Sequence, residues 1–273
     1  MPELPEVETV RRSLEPHVVG ARVVEVEAHA VRLREGVVPA DWRRCIRGTR
    51  FVSLERRGKY IIARAERAAA LFHLGMSGTM ALRRPGEPRA PHTHLVLGLD
   101  RGLELRFADA RRFGAAAVLD LDRVDAHPSL AALGPDPVEG DVEGALMAAR
   151  RSDSPIRSVL LDQRVLAGVG NIYANEALAR AGISPLRRAS AIAARRIPPL
   201  AAAVRAVLLE ALEAGGTTLR DGGFVNAAGD GGYFAVRLSV YGREGEPCPR
   251  CGRAIIRRVL SARSAFYCPR CQR

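Results

Sequence analysis

The sequence predicts an α+β fold: a short N-terminal helix, an antiparallel β-sandwich or barrel, a helix-rich second half, and a small finger built round a metal. Three observations predict it. Residues 21 to about 121 carry short apolar or alternating runs divided by turns, the pattern of antiparallel strands. Beyond the turn-rich Leu133-Gly134-Pro135-Asp136-Pro137 the apolar spacing becomes helical. The C-terminal end holds two close cysteine pairs.

Composition sets the bounds. The 273 residues are 47% hydrophobic and 26% charged, enough for two soluble domains and without the bias of a disordered chain. No apolar run reaches membrane-spanning length, and the acidic, proline-rich start is not a secretory signal. The net charge of +12 points to a polyanion, nucleic acid first, because each neutralised phosphate releases counterions. Aromatic residues make up only 5%, which disfavours a stacking platform for single strands or RNA. Lys59 is the single lysine among 42 basic residues. An amine can be tuned for proton transfer where a guanidinium cannot, so its survival suggests a role; compositional drift is the plain alternative. Cys45 stands apart from the other four cysteines and reads as a small buried side chain.

The first element is Met1-Pro2-Glu3-Leu4-Pro5-Glu6-Val7-Glu8-Thr9. Pro5 in the first turn, Glu6 and Glu8 at the positive end of the dipole, and Val7, Val10 and Leu14 on one face predict a helix ending near Pro16. The same residues suit chemistry. Removal of Met1 leaves Pro2 with a secondary terminal amine titrating near pH ~8, able to attack a sugar C1′ and form an iminium. Glu3 sets an acid beside that amine, and Glu6 follows at helical spacing.

Strands are expected at Val23 to Val26, Phe51 to Leu54, Tyr60 to Ile62, Ala70 to Phe72, Leu95 to Leu97 and Leu103 to Phe107. Lys59 opens one of them after Arg56-Arg57-Gly58, facing either a groove or solvent. Two loops stand out. His73-Leu74-Gly75-Met76-Ser77-Gly78 sets Met76 between glycines, and Asp109-Ala110-Arg111-Arg112-Phe113-Gly114 puts Phe113 beside two arginines. Apolar wedges with cationic neighbours suit a protein that extrudes a nucleotide, since extrusion leaves a hole in the stack and an orphan base; ordinary core packing is the alternative. His92 follows the proline-rich loop 85–91, where it can donate to phosphate.

In the second half, Ser154 as N-cap and Pro155 in the first position predict a helix through Leu160-Leu161, stopping near Ala167-Gly168. Asn171 begins another, Ile172 to about Arg180, closed by Gly182. Pro198-Pro199 opens the longest, with Leu200, Val204, Val207, Leu208 and Leu212 inside. Gly168-Val169-Gly170-Asn171 is either plain turn chemistry or a backbone-amide anion site to which Asn171 adds a donor. The stretch from Thr217 to Gly232, around Phe224-Val225-Asn226, reads as a flap over a bound base or as a connector. Finally, Cys248-Pro249-Arg250-Cys251 and Cys268-Pro269-Arg270-Cys271 frame a β-prone segment, so two knuckles would grip one tetrahedral zinc. Four thiolates leave no open position, which makes that zinc structural, holding Arg257, Arg258 and Arg263 toward phosphates.

Taken in order, Pro2-Glu3-Leu4-Pro5-Glu6, Arg57-Gly58-Lys59-Tyr60, Leu74 to Gly78, Asp109 to Gly114, Gly168 to Asn171 and the four-cysteine finger resemble the bacterial formamidopyrimidine-DNA glycosylases along essentially the whole chain. The resemblance implies a catalytic β-sandwich domain over residues 1–134, a linker over 135–150, a helix-two-turn-helix domain over 151–235 and a zinc finger over 236–273, with DNA in the cleft between domains. It implies a bifunctional repair enzyme that excises oxidised purines such as 8-oxoguanine and formamidopyrimidines, then cleaves the strand by β,δ-elimination. Pro2 would be the Schiff-base nucleophile, Glu3 the acid that protonates the opening deoxyribose, Lys59 the residue serving β-elimination and Arg263 the one serving δ-elimination. His92, Arg111, Ser152 and Asn171 would contact DNA; Met76, Arg111 and Phe113 would fill the void left by the flipped base; Glu6 would contact that base. One structural Zn2+, double-stranded DNA containing oxidised bases, a monomer, no membrane and the bacterial cytoplasm complete the expectation. Two departures are visible: Ser152 stands where the family often has a lysine, and Ala110 replaces a common proline. The alternatives are an endonuclease VIII type acting on oxidised pyrimidines, which the Leu4-Pro5 start disfavours, and a non-catalytic zinc-ribbon binder, for which Pro2, Glu3 and Lys59 would be useless.

Overall fold

The computed structural model describes residues 2–218, 228, 232 and 234–273, and in it the chain divides into two units. One comprises Met1–Ala131 with Ala214–Tyr233, the other Ala132–Glu213 with Phe234–Arg273. Met1 and the segment Phe224-Val225-Asn226 lie outside the described residues.

The first unit is built on β1 (Val23–Ala28), β2 (Phe51–Arg57), β3 (Tyr60–Ala65), β4 (Ala69–His73), β5 (Thr79–Arg83), β6 (Thr93–Leu99), β7 (Leu103–Ala108) and β8 (Ala115–Leu119). They form two four-stranded antiparallel sheets, ordered β1-β6-β7-β5 and β2-β3-β4-β8, so the choice between sandwich and barrel falls to the sandwich. Strands β5 and β8 were not expected. The alanine-rich β8 and the short, mixed run of β5 carry little strand signal of their own and become strands by pairing with β4 and β7. Phe72 of β4 lies 6.0 Å from Phe107 of β7 and 5.6 Å from the buried Trp42, filling the space between the sheets.

Helix α1 (Leu4–Val18) buries Leu4, Val7, Val10, Leu14 and Val18. It runs past Pro16, beyond the expected stop. A proline this late removes one hydrogen bond without breaking the turn, which Val19 closes by donating to the Glu15 carbonyl at 3.0 Å. Glu8 fastens the helix to the sandwich, accepting from Arg56 of β2 at 3.0 Å and from Arg12 at 2.8 Å. Burial works against its charge, yet the hydrogen bonds from Arg11 and Arg12 hold its carboxyl below the usual range.

The second unit carries α2 (Val142–Ala149), within the stretch expected to be linker, then α3 (Ile156–Leu161), α4 (Asn171–Ala181) and α5 (Ile197–Glu213). Helix α3 stops at Leu161, short of the expected end near Ala167-Gly168. Pro155 itself caps it in an extended conformation, and Asp162 turns the chain away by accepting from the Arg164 N–H at 3.0 Å. Helix α4 ends as expected, at Gly182 with φ +63°. It is the axis of the unit: residues Ile172 to Ala179 are all buried, and α5 packs against it. Glu176 receives the N–H groups of Ser239, Val240 and Tyr241 at 2.8 to 2.9 Å, tying α4 to the segment that leads into the finger. The finger's hairpin pairs β9 (Ile256–Leu260) with β10 (Arg263–Tyr267). Its two turn residues, Ser261 and Ala262, have φ of +48° and +60°, the left-handed pair that a tight hairpin demands and that side chains resist.

Candidate active site and nucleic-acid interface

Pro2 and Glu3 are buried at the start of α1. Glu6, one turn along, reaches back so that its Oε2 accepts the Glu3 N–H at 2.7 Å, while its Oε1 accepts the Thr217 N–H at 2.8 Å. One carboxylate thus fixes the backbone beside Pro2 and anchors the residue from which the glycine-rich stretch departs. Both its oxygens carry charge-assisted bonds, and the Glu3 carboxyl is placed rather than left to wander.

Lys59 occupies the tight turn Gly58-Lys59 between β2 and β3, and only 7% of it is exposed. A solvated strand-end lysine would be far more open. Its neighbour across the sheet is His73 at the end of β4, paired in register with Tyr60 and lying 4.8 Å from that ring. His73 Nδ1 accepts the Gly75 N–H at 3.0 Å, which leaves the proton of the neutral ring on Nε2. Burial, then the charges of Arg34 and Lys59, bring His73 down to about 4, against the opposing pull of Asp109. The site therefore holds a buried amine beside a neutral imidazole donor.

The depressed value makes a stability prediction. Folding favours the neutral imidazole, so His73 contributes in full above about pH 6.5, and that contribution is lost as pH falls to the folded value, an effect of about 3 kcal/mol. Unfolding midpoints of parent and His73→Gln, measured by denaturant between pH 8 and 4, should converge on the acid side. Parallel curves would show that His73 is not held neutral.

Met76 and Phe113 are surface residues, 39% and 52% exposed, so the core alternative fails for both. The Arg111 guanidinium stands 5.1 Å from the centre of the Phe113 ring, within cation–π range. Both loops project from the same sandwich: Ser77 Oγ accepts the Arg111 N–H at 3.1 Å. His92 is exposed with φ +61°, and its carbonyl accepts the Asp109 N–H at 3.1 Å.

In the second unit Asn171, first residue of α4, has its amide engaged from both sides. Its Oδ1 accepts from Arg157 Nη2 at 2.5 Å and Nε at 3.1 Å, and its Nδ2 donates to the Ser264 carbonyl at 3.0 Å. Arg157 is fully buried and also donates to the carbonyls of Ser264 and Leu260, on either side of the strained turn before Arg263. Burial, and then the like charge of the exposed Arg263, push the Arg157 guanidinium below its ordinary value. Ser152 is half-buried, its hydroxyl accepting the Ser154 N–H at 3.1 Å.

The sulfurs of Cys248, Cys251, Cys268 and Cys271 all lie within 4.8 Å of one another, with Cys251 and Cys268 at 3.5 Å. A tetrahedral zinc with Zn–S of ~2.3 Å spaces its sulfurs by about 3.8 Å, so the donors fit. Burial opposes ionisation of Cys268, but N–H groups of Cys271 and Arg270 and the thiols of Cys251 and Cys248 bring it down to about 7, suited to a thiolate. The site is a structural zinc finger.

Exposed Met76 and Phe113 beside Arg111 on a β-sandwich, a buried Pro2-Glu3 start and an arginine-bearing hairpin closed by four cysteines mark a class, the zinc-finger DNA glycosylases. Three family models match: the formamidopyrimidine-DNA glycosylase N-terminal domain over residues 1–116, that enzyme's H2TH domain over 133–222, and the zinc finger found in FPG and IleRS over 245–273. The chain belongs to the formamidopyrimidine-DNA glycosylase family. It is 46% identical over 275 residues to the formamidopyrimidine-DNA glycosylase of Syntrophotalea carbinolica, covering 100% of both chains. It resembles the crystal structure of MutM (Fpg) from Thermus thermophilus at 40% identity and TM-score 0.89, covering 99% of this chain and 98% of that one. A Lactococcus lactis Fpg in complex with abasic-site DNA is similar at 32% identity and TM-score 0.90, with 99% of each chain covered.

Four residues that carry the geometry were not singled out from the sequence: His73, Asp109, Arg157 and Glu176. Arg157 offered the clearest signal, a lone charge in the apolar run Ile156 to Leu161. The others look like ordinary polar residues until their partners are known.

Proposed function

We propose that this protein excises oxidised purines, 8-oxoguanine and formamidopyrimidines, from duplex DNA and then cleaves the strand at the abasic site. The observation that carries the reading is the buried Pro2-Glu3 pair with its backbone locked by Glu6. After Met1 is removed, the Pro2 nitrogen bonds to C1′ as the glycosidic bond breaks. Glu3 protonates the ring oxygen as the sugar opens, and an iminium joins protein and DNA. Lys59 serves β-elimination, in which C2′ loses a proton and the 3′ phosphate leaves. Arg263 serves δ-elimination, in which the 5′ phosphate leaves, and water then hydrolyses the imine. Glu6 lines the base site; His92, Ser152 and Asn171 meet the DNA backbone; Met76, Arg111 and Phe113 occupy the gap in the stack. The enzyme works as a cytoplasmic monomer. Among the described residues no helix is long and apolar enough to cross a membrane.

The test is a duplex with one 8-oxoguanine opposite cytosine. Free 8-oxoguanine and a strand ending in phosphate on both sides of the gap are expected; tight binding with neither product would overturn the reading. Stripping the zinc should unfold the finger and weaken duplex affinity at fixed salt by about tenfold or more, while the sandwich stays folded. Undiminished binding by protein verified to be zinc-free would contradict the finger's role.

A further inference from the structure

Asp109 is the first residue after β7, fully buried and central to both loops. Its Oδ2 accepts the Gly114 N–H at 2.7 Å, closing loop 109–114 onto its own last residue. Its Oδ1 accepts the Ser77 hydroxyl at 2.7 Å and the Arg111 N–H at 3.2 Å. Ser77 in turn accepts the Arg111 N–H, so one hydroxyl and one carboxylate join the Met76 loop to the Arg111 loop. The backbones are equally close. A Cβ on Gly75, whose φ is +59°, would stand 2.5 Å from Gly114 N and Phe113 C, and one on Gly114 would stand 2.5 Å from the His73 carbonyl. Only glycines fit there, and the two loops cannot slide past each other. Behind them, His94 Nε2 bonds the Asp109 carbonyl at 2.9 Å.

We propose that Asp109 is a positioning residue that welds the loops bearing Met76 and Arg111–Phe113 into one rigid wedge, and that damaged-base extrusion depends on this weld. The inference rests on the function proposed above. A carboxylate this deeply buried is costly unless its oxygens are satisfied, and here backbone N–H groups and a hydroxyl satisfy them. Met76 and Phe113 are otherwise exposed apolar side chains on short loops. Pushing them into a stacked duplex works only if the loops resist the push. An abasic site has no base to extrude, so its cleavage needs the wedge far less.

The experiment compares Asp109→Asn with the parent on two duplexes, one carrying 8-oxoguanine and one carrying a preformed abasic site, under single-turnover conditions. A 2-aminopurine beside the orphan base reports unstacking. Asparagine keeps the shape but turns an NH2 toward N–H donors. Excision of 8-oxoguanine should fall about tenfold or more, abasic-site cleavage by less than about threefold, and the 2-aminopurine signal should drop with excision. Ser77→Ala, which removes the two hydrogen bonds of that hydroxyl to the Arg111 loop and leaves Asp109 in place, should show a smaller loss of the same kind, and Ser77→Thr should restore it. Should Asp109→Asn not fold, the serine pair decides alone. Equal losses on both duplexes, or parent-like excision and fluorescence, would overturn the weld. A parent that processes neither duplex would instead fail the functional reading, and the weld with it.

Discussion

Borohydride added while the protein turns over an 8-oxoguanine duplex should freeze a covalent protein–DNA complex, and peptide mapping should place the new bond on the nitrogen of Pro2. The expectation follows from elementary acid–base chemistry. At pH 7.5 a terminal secondary amine titrating near ~8 is neutral in a useful fraction, whereas an ordinary lysine near ~10.4 is almost wholly charged. Pro2 sits next to a buried carboxyl, in a chain whose backbone is clamped by Glu6 at the adjoining N–H. The rival amine is Lys59, also buried. If the adduct maps to Lys59, the terminal-amine mechanism is wrong. A second arm uses Pro2→Glu, whose bulky second residue keeps the initiator methionine and moves the free amine out of register. Trapping and nicking should both fall to background, with duplex binding retained.

How much of this was legible in the sequence depends on whether the signal was local. The six expected strands all exist, because a short apolar run or an apolar alternation is written within each one. The two that escaped, β5 and β8, are strands only by virtue of their partners, and no local pattern marks them. The early end of α3 was missed for a different reason: Asp162-Gln163-Arg164 could continue a helix by composition, and only the hydrogen bond that Asp162 accepts from the Arg164 N–H takes the chain out of it. Lys59 was visible through a compositional accident, as the one amine in an arginine-rich chain. The cysteine pairs were visible because metal geometry forces their spacing, and the Sγ cluster follows.

What stayed hidden were side chains acting through tertiary contact. Asp109 was read as one end of a loop motif, while its partners Ser77 and Gly114 come from two different loop ends. His73 looked like a loop residue; its neutrality depends on burial and on Arg34 and Lys59, which are remote in sequence. Arg157 and Asn171 lie fourteen positions apart, and their joint hold on the finger turn needs β9 and β10 folded over them. In each case a short motif names one partner and the fold supplies the other.

Glu3→Gln should separate binding from chemistry. Glutamine preserves the size of the side chain and leaves the Glu6 bond to the residue 3 N–H intact, so α1 should start as before. It has no proton to give at neutral pH, so sugar opening loses its acid, a loss worth about 10²- to 10⁴-fold in excision rate. Affinity for the damaged duplex should hardly change, because the wedge, the finger and the basic surface are untouched. Glu6→Gln provides the contrast. Glu6 accepts two N–H groups, from Glu3 and from Thr217, and a glutamine oxygen can keep only one of them well. Its effect should be about tenfold or less and should track the placement of Glu3 rather than the loss of a proton donor. The pH–rate profile tells the two apart: Glu6→Gln should keep the parent's alkaline limb, where rate falls as the acid loses its proton, at a lower rate, while Glu3→Gln should lose that limb. If Glu3→Gln excises 8-oxoguanine at the parent's rate, the opening sugar takes its proton from another group, and the buried carboxyl at residue 3 is a helix cap and nothing more.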